Sequence, residues 1–360
     1  EIVLARKPLT DASRREGPRE LVRISGAKLH NLKGVDLEFA FGEMAGVCGP
    51  SGSGKSTAIL DVLVPALQGE SPQGRWKKLS TPPGTRVVVV DASPIGRTPA
   101  SVPATYVGLM DPVRELFART PDAQVRGFDA ARFSFNSPKG RCPACEGRGS
   151  TKVEMQFLAD LWLTCESCDG KRYSPEVLEV RHRGKNAADV LEMSVDEALE
   201  FFEHQPRIVE ILRTLRDVGL GYLQLGQSST TLSGGEAQRV KLAAELFRAE
   251  TGGRSVIVLD EPTTGLATSD VAHLCAVLDR LAARGNALVV IEHHTGLLSA
   301  CDRLVEMGPV GGEGGGRVIA EGTPAELSAN PDSVTGPWLE EARARRAPGP
   351  KPKRTKKVVG

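Results

Sequence analysis

The residues with the clearest chemical purpose are Gly49-Pro-Ser-Gly-Ser-Gly-Lys-Ser-Thr57. They fit G-x-x-x-x-G-K-[ST], with Gly49, Gly54, Lys55 and Ser56 at the fixed places and Gly52 and Thr57 in the same stretch. Glycines let backbone N–H groups curl around phosphate oxygens, and a helix N-terminus behind them adds partial positive charge. In that chemistry Lys55 reaches the β and γ phosphates of ATP, and Ser56 ligates Mg²⁺. Val256-Ile-Val-Leu-Asp-Glu261 is an apolar run ending in two carboxylates. Asp260 is placed to hold Mg²⁺ and Glu261 to polarise an attacking water. His293, after the next apolar run, is placed to contact the γ-phosphate.

Leu232-Ser-Gly-Gly-Glu-Ala-Gln238 puts two glycines at a helix start, a second anion site. One phosphate loop does not need another such helix for the same nucleotide. Ser233, Gly234 and Gly235 are therefore expected to cap the γ-phosphate held by a partner domain, so that two domains sandwich two ATPs. Cys142-Pro-Ala-Cys145 and Cys165-Glu-Ser-Cys168 form two C-x-x-C pairs. Their spacing suits one tetrahedral Zn²⁺ with no open position, hence a structural site; a redox pair is the alternative. Cys48, Cys275 and Cys301 lie in apolar stretches and read as core. Lys139, Arg141, Arg148, Lys152, Lys171 and Arg172 surround the pairs. Cations on a metal-stapled hairpin suit phosphate contacts that fix position without reading sequence, though each also reads as a solvated surface charge.

The elements that must position these groups follow from periodicity. Leu21–Ile24 and Val35–Phe39 read as strands, and Met44–Cys48 as a buried strand before the glycine loop, with a helix from Ala58 behind it. Arg86–Asp91 is a β-branched run and reads as a buried strand. Helical segments are expected near Val113–Arg119, within 186–218, from Glu236 to Arg248 with Ser233 as cap, at Asp270–Arg284 and at Pro324–Asn330. Strands are expected at Ser255–Glu261 and Ala287–Ile291. Strands alternating with helices imply an α/β fold with a mostly parallel sheet.

Composition sets the outer bounds. The 360 residues are 40% hydrophobic and 25% charged, as in globular proteins, with net charge +1, so a nucleic-acid surface has to be a local patch. No apolar run approaches the ~20 residues of a membrane span, and no signal-peptide pattern opens the chain, so no membrane partner is expected. Seven cysteines, four of them in pairs, favour metal over disulfides and a cytoplasmic location.

Gly49–Thr57, Leu232–Gln238, Val256–Glu261 and His293 resemble the ATP-binding cassette superfamily. Val90-Asp-Ala-Ser-Pro-Ile-Gly-Arg-Thr-Pro99, Phe133-Ser-Phe-Asn136, Lys171-Arg-Tyr173, Thr230–Ala243, Ile291-Glu-His293 and Ala320-Glu-Gly-Thr323 narrow this. From about residue 21 to 340 the chain resembles the C-terminal half of the UvrA family of excinuclease ABC proteins. The resemblance implies a P-loop cassette ATPase fold with an inserted signature domain carrying the zinc module. It implies an ATP-binding core over 21–91 and 240–340 and the signature domain over 92–239 with zinc at 139–172; outside it, the Pro- and Gly-containing stretch 1–20 reads from composition as a linker, and the basic, proline-rich stretch 341–360 as a disordered tail, with a nucleic-acid arm as the alternative. The resemblance further implies ATP-dependent recognition of lesion-bearing duplex DNA in excinuclease repair and the SOS response, a second cassette half, a homodimer partner, and UvrB as a possible partner. Arg97 and the cations around the zinc pairs would then face DNA.

The sequence departs from the family at three places. Ala92 stands where the family has Gln, which contacts Mg²⁺ or the lytic water, so weakened turnover is expected. Ala100 replaces a second basic residue after Arg97, and Ala267 replaces a His. A low-turnover ATP-binding DNA clamp and a paralogue for drug or antibiotic self-resistance therefore stay open as alternatives. The ATPase component of a drug exporter is opposed by the zinc pairs.

Overall fold

The computed structural model describes residues 20–70, 75–96, 98–153, 161–248 and 254–346. Its strands are β1 (Leu21–Ala27), β2 (Val35–Ala40), β3 (Met44–Cys48), β4 (Lys78–Ser80), β5 (Arg86–Val90), β6 (Ser150–Val153), β7 (Leu161–Thr164), β8 (Ser255–Asp260), β9 (Ala287–Ile291), β10 (Arg303–Gly308) and β11 (Arg317–Gly322). Its α-helices are α1 (Val64–Leu67), α2 (Pro103–Tyr106), α3 (Met110–Ala118), α4 (Pro121–Val125), α5 (Pro175–Glu179), α6 (Ala187–Glu192), α7 (Val195–Phe201), α8 (Pro206–Asp217), α9 (Gly234–Arg248), α10 (Thr268–Ala283), α11 (Thr295–Leu298), α12 (Pro324–Ala329) and α13 (Gly336–Arg346).

The chain divides into two compact units. The first holds described residues 20–87, 254–261 and 285–346; the second holds 88–248 and 262–284. The first unit is built on a six-stranded sheet of order β11-β10-β3-β9-β8-β5 and an antiparallel sheet β2-β1-β4. The unit boundary falls within β5. β3 lies parallel to both β9 and β10, and β8 parallel to β9; β11 alone is shown antiparallel, against β10. Every residue of β3 and β9 is buried, which is why these strands read as unbroken apolar runs. β2 alternates acidic and buried apolar residues, with Leu37 and Phe39 inward and Asp36 outward.

The second unit holds helices α2 to α10, the cysteine pairs and the antiparallel hairpin β6–β7, whose residues are mostly exposed. α7 begins with a reciprocal cap: Glu197 N–H donates to Ser194 Oγ at 3.2 Å, and Ser194 N–H to Glu197 Oε2 at 2.7 Å.

Several expectations need correction. β5 is an edge strand whose only buried residue is Val90, because β-branched residues also suit a strand with one open edge. The helix behind the glycine loop starts with π-type turns over Thr57–Leu63 before continuing as α1. The expected boundary at 239/240 cuts α9, a continuous 15-residue helix wholly in the second unit. The expected tail at 341 begins inside α13, which runs to Arg346 around the buried Leu339; the rest of that tail and residues 1–19 of the linker lie outside the described residues.

Candidate functional site

Three neighbouring parallel strands end together in the first unit. In register, Val47 of β3 lies beside Ile291 of β9, and Asp260 of β8 pairs with the same Ile291. The residues that follow are Gly49–Thr57, Glu261 and Glu292-His293, all at carboxyl ends of strands, where α/β sheets bind ligands. Gly49 has φ +123°, and a Cβ there would sit 1.9 Å from the Met307 carbonyl oxygen, so only glycine fits. Gly54 has φ +102°, with Leu32 Cδ2 2.9 Å from where a Cβ would be.

Lys55 is buried, and its Nζ donates to the Gly49 and Pro50 carbonyls at 2.9 Å each. Burial pulls its pKa below the ordinary lysine range, while the fields of Cys48, Glu261 and Asp260 oppose that shift. A phosphate oxygen would supply the counter-charge that burial makes favourable. Ser56 and Asp260 offer a hydroxyl and a carboxylate, hard oxygen ligands that fit Mg²⁺.

Glu261 has φ +46°, a left-handed backbone that a non-glycine residue holds only where the surroundings fix it. Its N–H donates to the Ile291 carbonyl at 2.9 Å. Its Oε1 lies 3.5 Å from His293 Nε2, with both side chains about half exposed. Glu292, buried, accepts the His293 N–H at 2.6 Å and the His294 N–H at 3.1 Å, while its own N–H donates to Val47 of β3. The carboxylate thus fixes the turn that presents His293.

In the second unit, α9 opens at Gly234 and Gly235 behind Ser233. Ser233 Oγ accepts the Glu236 N–H at 3.3 Å and donates to Glu236 Oε2 at 2.9 Å; Tyr222 donates to Glu236 Oε1 at 2.9 Å. Burial pushes the Glu236 carboxyl up, but the Ser233 N–H, the Ser233 hydroxyl and the Tyr222 hydroxyl outweigh it and hold it below the ordinary range. A Cβ on Gly234 would meet Ala92 Cβ at 3.1 Å, and one on Gly235 the Thr264 carbonyl at 3.1 Å. The helix start therefore fits closely between the segment around Ala92 and that around Thr264.

The Sγ atoms of Cys142, Cys145, Cys165 and Cys168 all lie within 4.8 Å of one another. Cys145 Sγ and Cys168 Sγ are 3.7 Å apart. A Zn–S bond of about 2.3 Å gives tetrahedral S···S edges of about 3.8 Å, so the four thiols fit zinc. The two pairs repeat one backbone shape: Glu146-Gly147 and Asp169-Gly170 all have positive φ directly after the second cysteine of each pair. Gly149 N–H donates to Cys145 Sγ at 3.3 Å. Burial pushes the Cys142 thiol up, but N–H groups of Cys145 and Ala144 and the neighbouring thiols bring it down to about 7, whereas burial leaves the Cys145 and Cys168 thiols raised.

The family model described as ABC transporter matches residues 166–264. The UvrABC system protein A of Staphylococcus epidermidis is 49% identical over 338 residues, 91% of this chain and 35% of that protein. That of Thermus thermophilus is 50% identical over 337 residues, 91% of this chain and 35% of that protein. The crystal structure of UvrA2 from Deinococcus radiodurans matches with 48% identity and a TM-score of 0.83, covering 92% of this chain and 42% of that one. The chain belongs to the UvrA family. It spans about a third of the length of the curated UvrA relatives that it matches.

Within this UvrA-family fold, the structure brings Lys55, Asp260, Glu261 and His293 into one unit and gathers the four cysteines. It corrects one expected DNA contact. Arg172 is buried, and its guanidinium donates to the carbonyls of Pro99 at 2.8 Å, Gly226 at 3.2 Å and Gly147 at 3.4 Å, with its Cζ 5.5 Å from the Phe135 ring centre. A side chain fully engaged with backbone is not open to a phosphate. Lys139 and Lys152 are exposed; Arg141, Arg148 and Lys171 are half-buried. Lys139 pairs with Asp129 at 3.1 Å, and Glu146 takes both Arg148 at 3.0 Å and Arg141 at 3.6 Å. Arg97 lies outside the described residues.

Sequence reasoning missed Glu292, Gln238 and Lys241. Gln238 Nε2 donates to the Val90 carbonyl at 3.1 Å, and Lys241 Nζ to Asp91 Oδ1 at 2.5 Å and Ser93 Oγ at 2.6 Å. Polar residues spaced three apart on an otherwise buried helix face were the available signal.

Proposed function

We propose that this chain is an ATP-hydrolysing cassette of a UvrA-type assembly that recognises damaged duplex DNA in nucleotide excision repair. The observation that carries the reading is the convergence of Lys55, Asp260, Glu261 and His293 at the ends of three adjacent parallel strands. Lys55 and the loop N–H groups would hold the β and γ phosphates. Mg²⁺, held by Ser56 and Asp260, would neutralise charge on those phosphates. Glu261 would orient and deprotonate the attacking water, and His293 would fix the Glu261 carboxylate and face the γ-phosphate. Ser233, Gly234 and Gly235 would cap the γ-phosphate of a partner cassette, which makes a dimer or a second cassette half part of the active enzyme. UvrB docking and cytoplasmic repair follow from the family resemblance. No helix among the described residues is long and apolar enough to cross a membrane.

Zinc would be held by Cys142, Cys145, Cys165 and Cys168, stapling the β6–β7 hairpin. Lys139, Lys152 and Lys171, with Arg141 and Arg148, would present positive charge to the DNA backbone. A low-turnover variant of the same reading draws on Ala92, whose side chain ends at Cβ and offers no amide to Mg²⁺ or water.

The test is fluorescence anisotropy of lesion-bearing and intact duplexes titrated with the chain across a salt series. Binding that weakens steeply with salt and favours the lesion is expected. Absence of binding by folded, zinc-loaded chain would overturn the DNA half of the reading for this chain.

A further inference from the structure

A phosphate loop that turns its N–H groups inward turns carbonyls outward, and each outward carbonyl needs a partner. In Gly49–Thr57 these partners are specific. Lys55 Nζ covers the Gly49 and Pro50 carbonyls, and Ala58 N–H takes the Gly54 carbonyl at 2.8 Å. The Gly52 and Ser53 carbonyls are met from outside the loop. Asn31 Nδ2 donates to Gly52 O at 3.0 Å, Gly312 N–H to the same oxygen at 3.0 Å, and Gly316 N–H to Ser53 O at 3.0 Å.

The same Asn31 Nδ2 also donates to the Gly312 carbonyl at 3.0 Å. Lys33 N–H closes the Gly316 carbonyl at 2.9 Å. The glycine run 311–316 is there because backbone passes against backbone. A Cβ on Gly311 would lie 2.4 Å from Ser51 O, and one on Gly316 1.9 Å from Asn31 O. Asn31 is thus the side chain that joins the back of the phosphate loop to the glycine run.

We propose that Asn31 is a positioning residue for nucleotide binding: its amide ties Gly52 to Gly312 and so sets the direction in which the Gly52 and Gly54 N–H groups face a nucleoside triphosphate. This rests on the nucleotide reading given above. Lys55 Nζ carries three donors, two of them on the Gly49 and Pro50 carbonyls, so contact with both the β and the γ phosphate takes at least one away from a carbonyl. The loop's shape with nucleotide bound then depends on the contacts that do not have to move, which are Asn31 and the glycine run. Only a donor serves here, since both neighbours are carbonyl oxygens.

The experiment titrates the native chain, Asn31→Asp and Asn31→Ala with a fluorescent ATP analogue in Mg²⁺, beside zinc content, ligand-free melting and hydrogen exchange. Asn31→Asp is isosteric but turns oxygen toward two oxygens; its dissociation constant is expected to rise about tenfold, and that of Asn31→Ala about threefold. Zinc content and ligand-free melting hold, and the Gly312 and Gly316 amides exchange faster in Asn31→Asp. Equal affinity in the native chain and both variants overturns the proposal alone. Should Asn31→Asp fold poorly, unchanged affinity and unchanged Gly312 and Gly316 exchange in Asn31→Ala overturn it equally. Absence of analogue binding by the folded native chain overturns the nucleotide reading and the proposal with it.

Discussion

Lys241 places its ammonium 2.5 Å from the Asp91 carboxylate and 2.6 Å from the Ser93 hydroxyl. The two ends of this contact come from α9 and from the segment that carries Ala92, so the signature helix and that segment are tied by a nearly buried cation. Burial pushes the Asp91 carboxyl up, but the Lys241 ammonium and the Ser93 hydroxyl outweigh it and hold it below the ordinary range. A carboxylate depressed in the folded state contributes stability above its unfolded pKa and loses it as pH falls through the lower folded value. Acid unfolding of the second unit should therefore begin below about pH 4. Lys241→Met should cost about 1–3 kcal/mol at neutral pH, less than for a fully buried pair because Asp91 is partly exposed. It should also flatten the acid limb. Urea unfolding at pH 7 and pH 3.5 checks both, and an unchanged pH dependence in the variant would sink the assignment.

Glu261 has a strained backbone and faces His293, the arrangement expected of a base held ready for water. Glu261→Gln keeps the shape and removes the carboxylate. Phosphate release by a preparation that hydrolyses ATP should fall about 10²- to 10⁴-fold while nucleotide affinity is kept. A variant with native turnover would assign the base elsewhere.

The glycine-loop and strand-end residues of the candidate site stand out in the sequence because their pattern is local. A glycine loop, a strand ending in Asp260-Glu261 and a strand ending before His293 each announce themselves within a few residues. The cysteine pairs do so by spacing alone. The positioning groups were not legible, because each acts across the chain: Gln238 on Val90, Lys241 on Asp91, Asn31 on Gly312. Arg172 misled for a related reason. Its neighbours Lys171 and Gly170 suggest a basic turn, and only the fold shows three carbonyls around the guanidinium. β4, β10 and β11 escaped notice because they are short or carry charges in their pattern, whereas β3 and β9 are uninterrupted apolar runs.

The thiol cluster predicts one zinc per chain. Cys165→Ser should lose that metal and loosen the β6–β7 hairpin, since structural zinc contributes folding free energy directly. Metal analysis by mass spectrometry, with proteolysis to report the hairpin, checks this. A Cys165→Ser chain that keeps stoichiometric zinc would mean the fourth ligand is not this thiol.

The contrast between Arg172 and its neighbours gives a two-sided test of the DNA surface. Arg172→Ala leaves the Pro99, Gly226 and Gly147 carbonyls without their donor inside the fold, so it should destabilise the second unit by about 2–4 kcal/mol. Lys171→Ala and Lys139→Ala leave no such vacancy and should melt within about 0.5 kcal/mol of the native chain. If these lysines meet phosphates, each substitution lowers the slope of log affinity against log salt by about 1, uniformly across sequences. Parallel melting and salt-series anisotropy separate the roles. A stable Arg172→Ala chain with a reduced salt slope would restore that arginine to the DNA surface. Unchanged slopes in both lysine variants would remove these two residues from it.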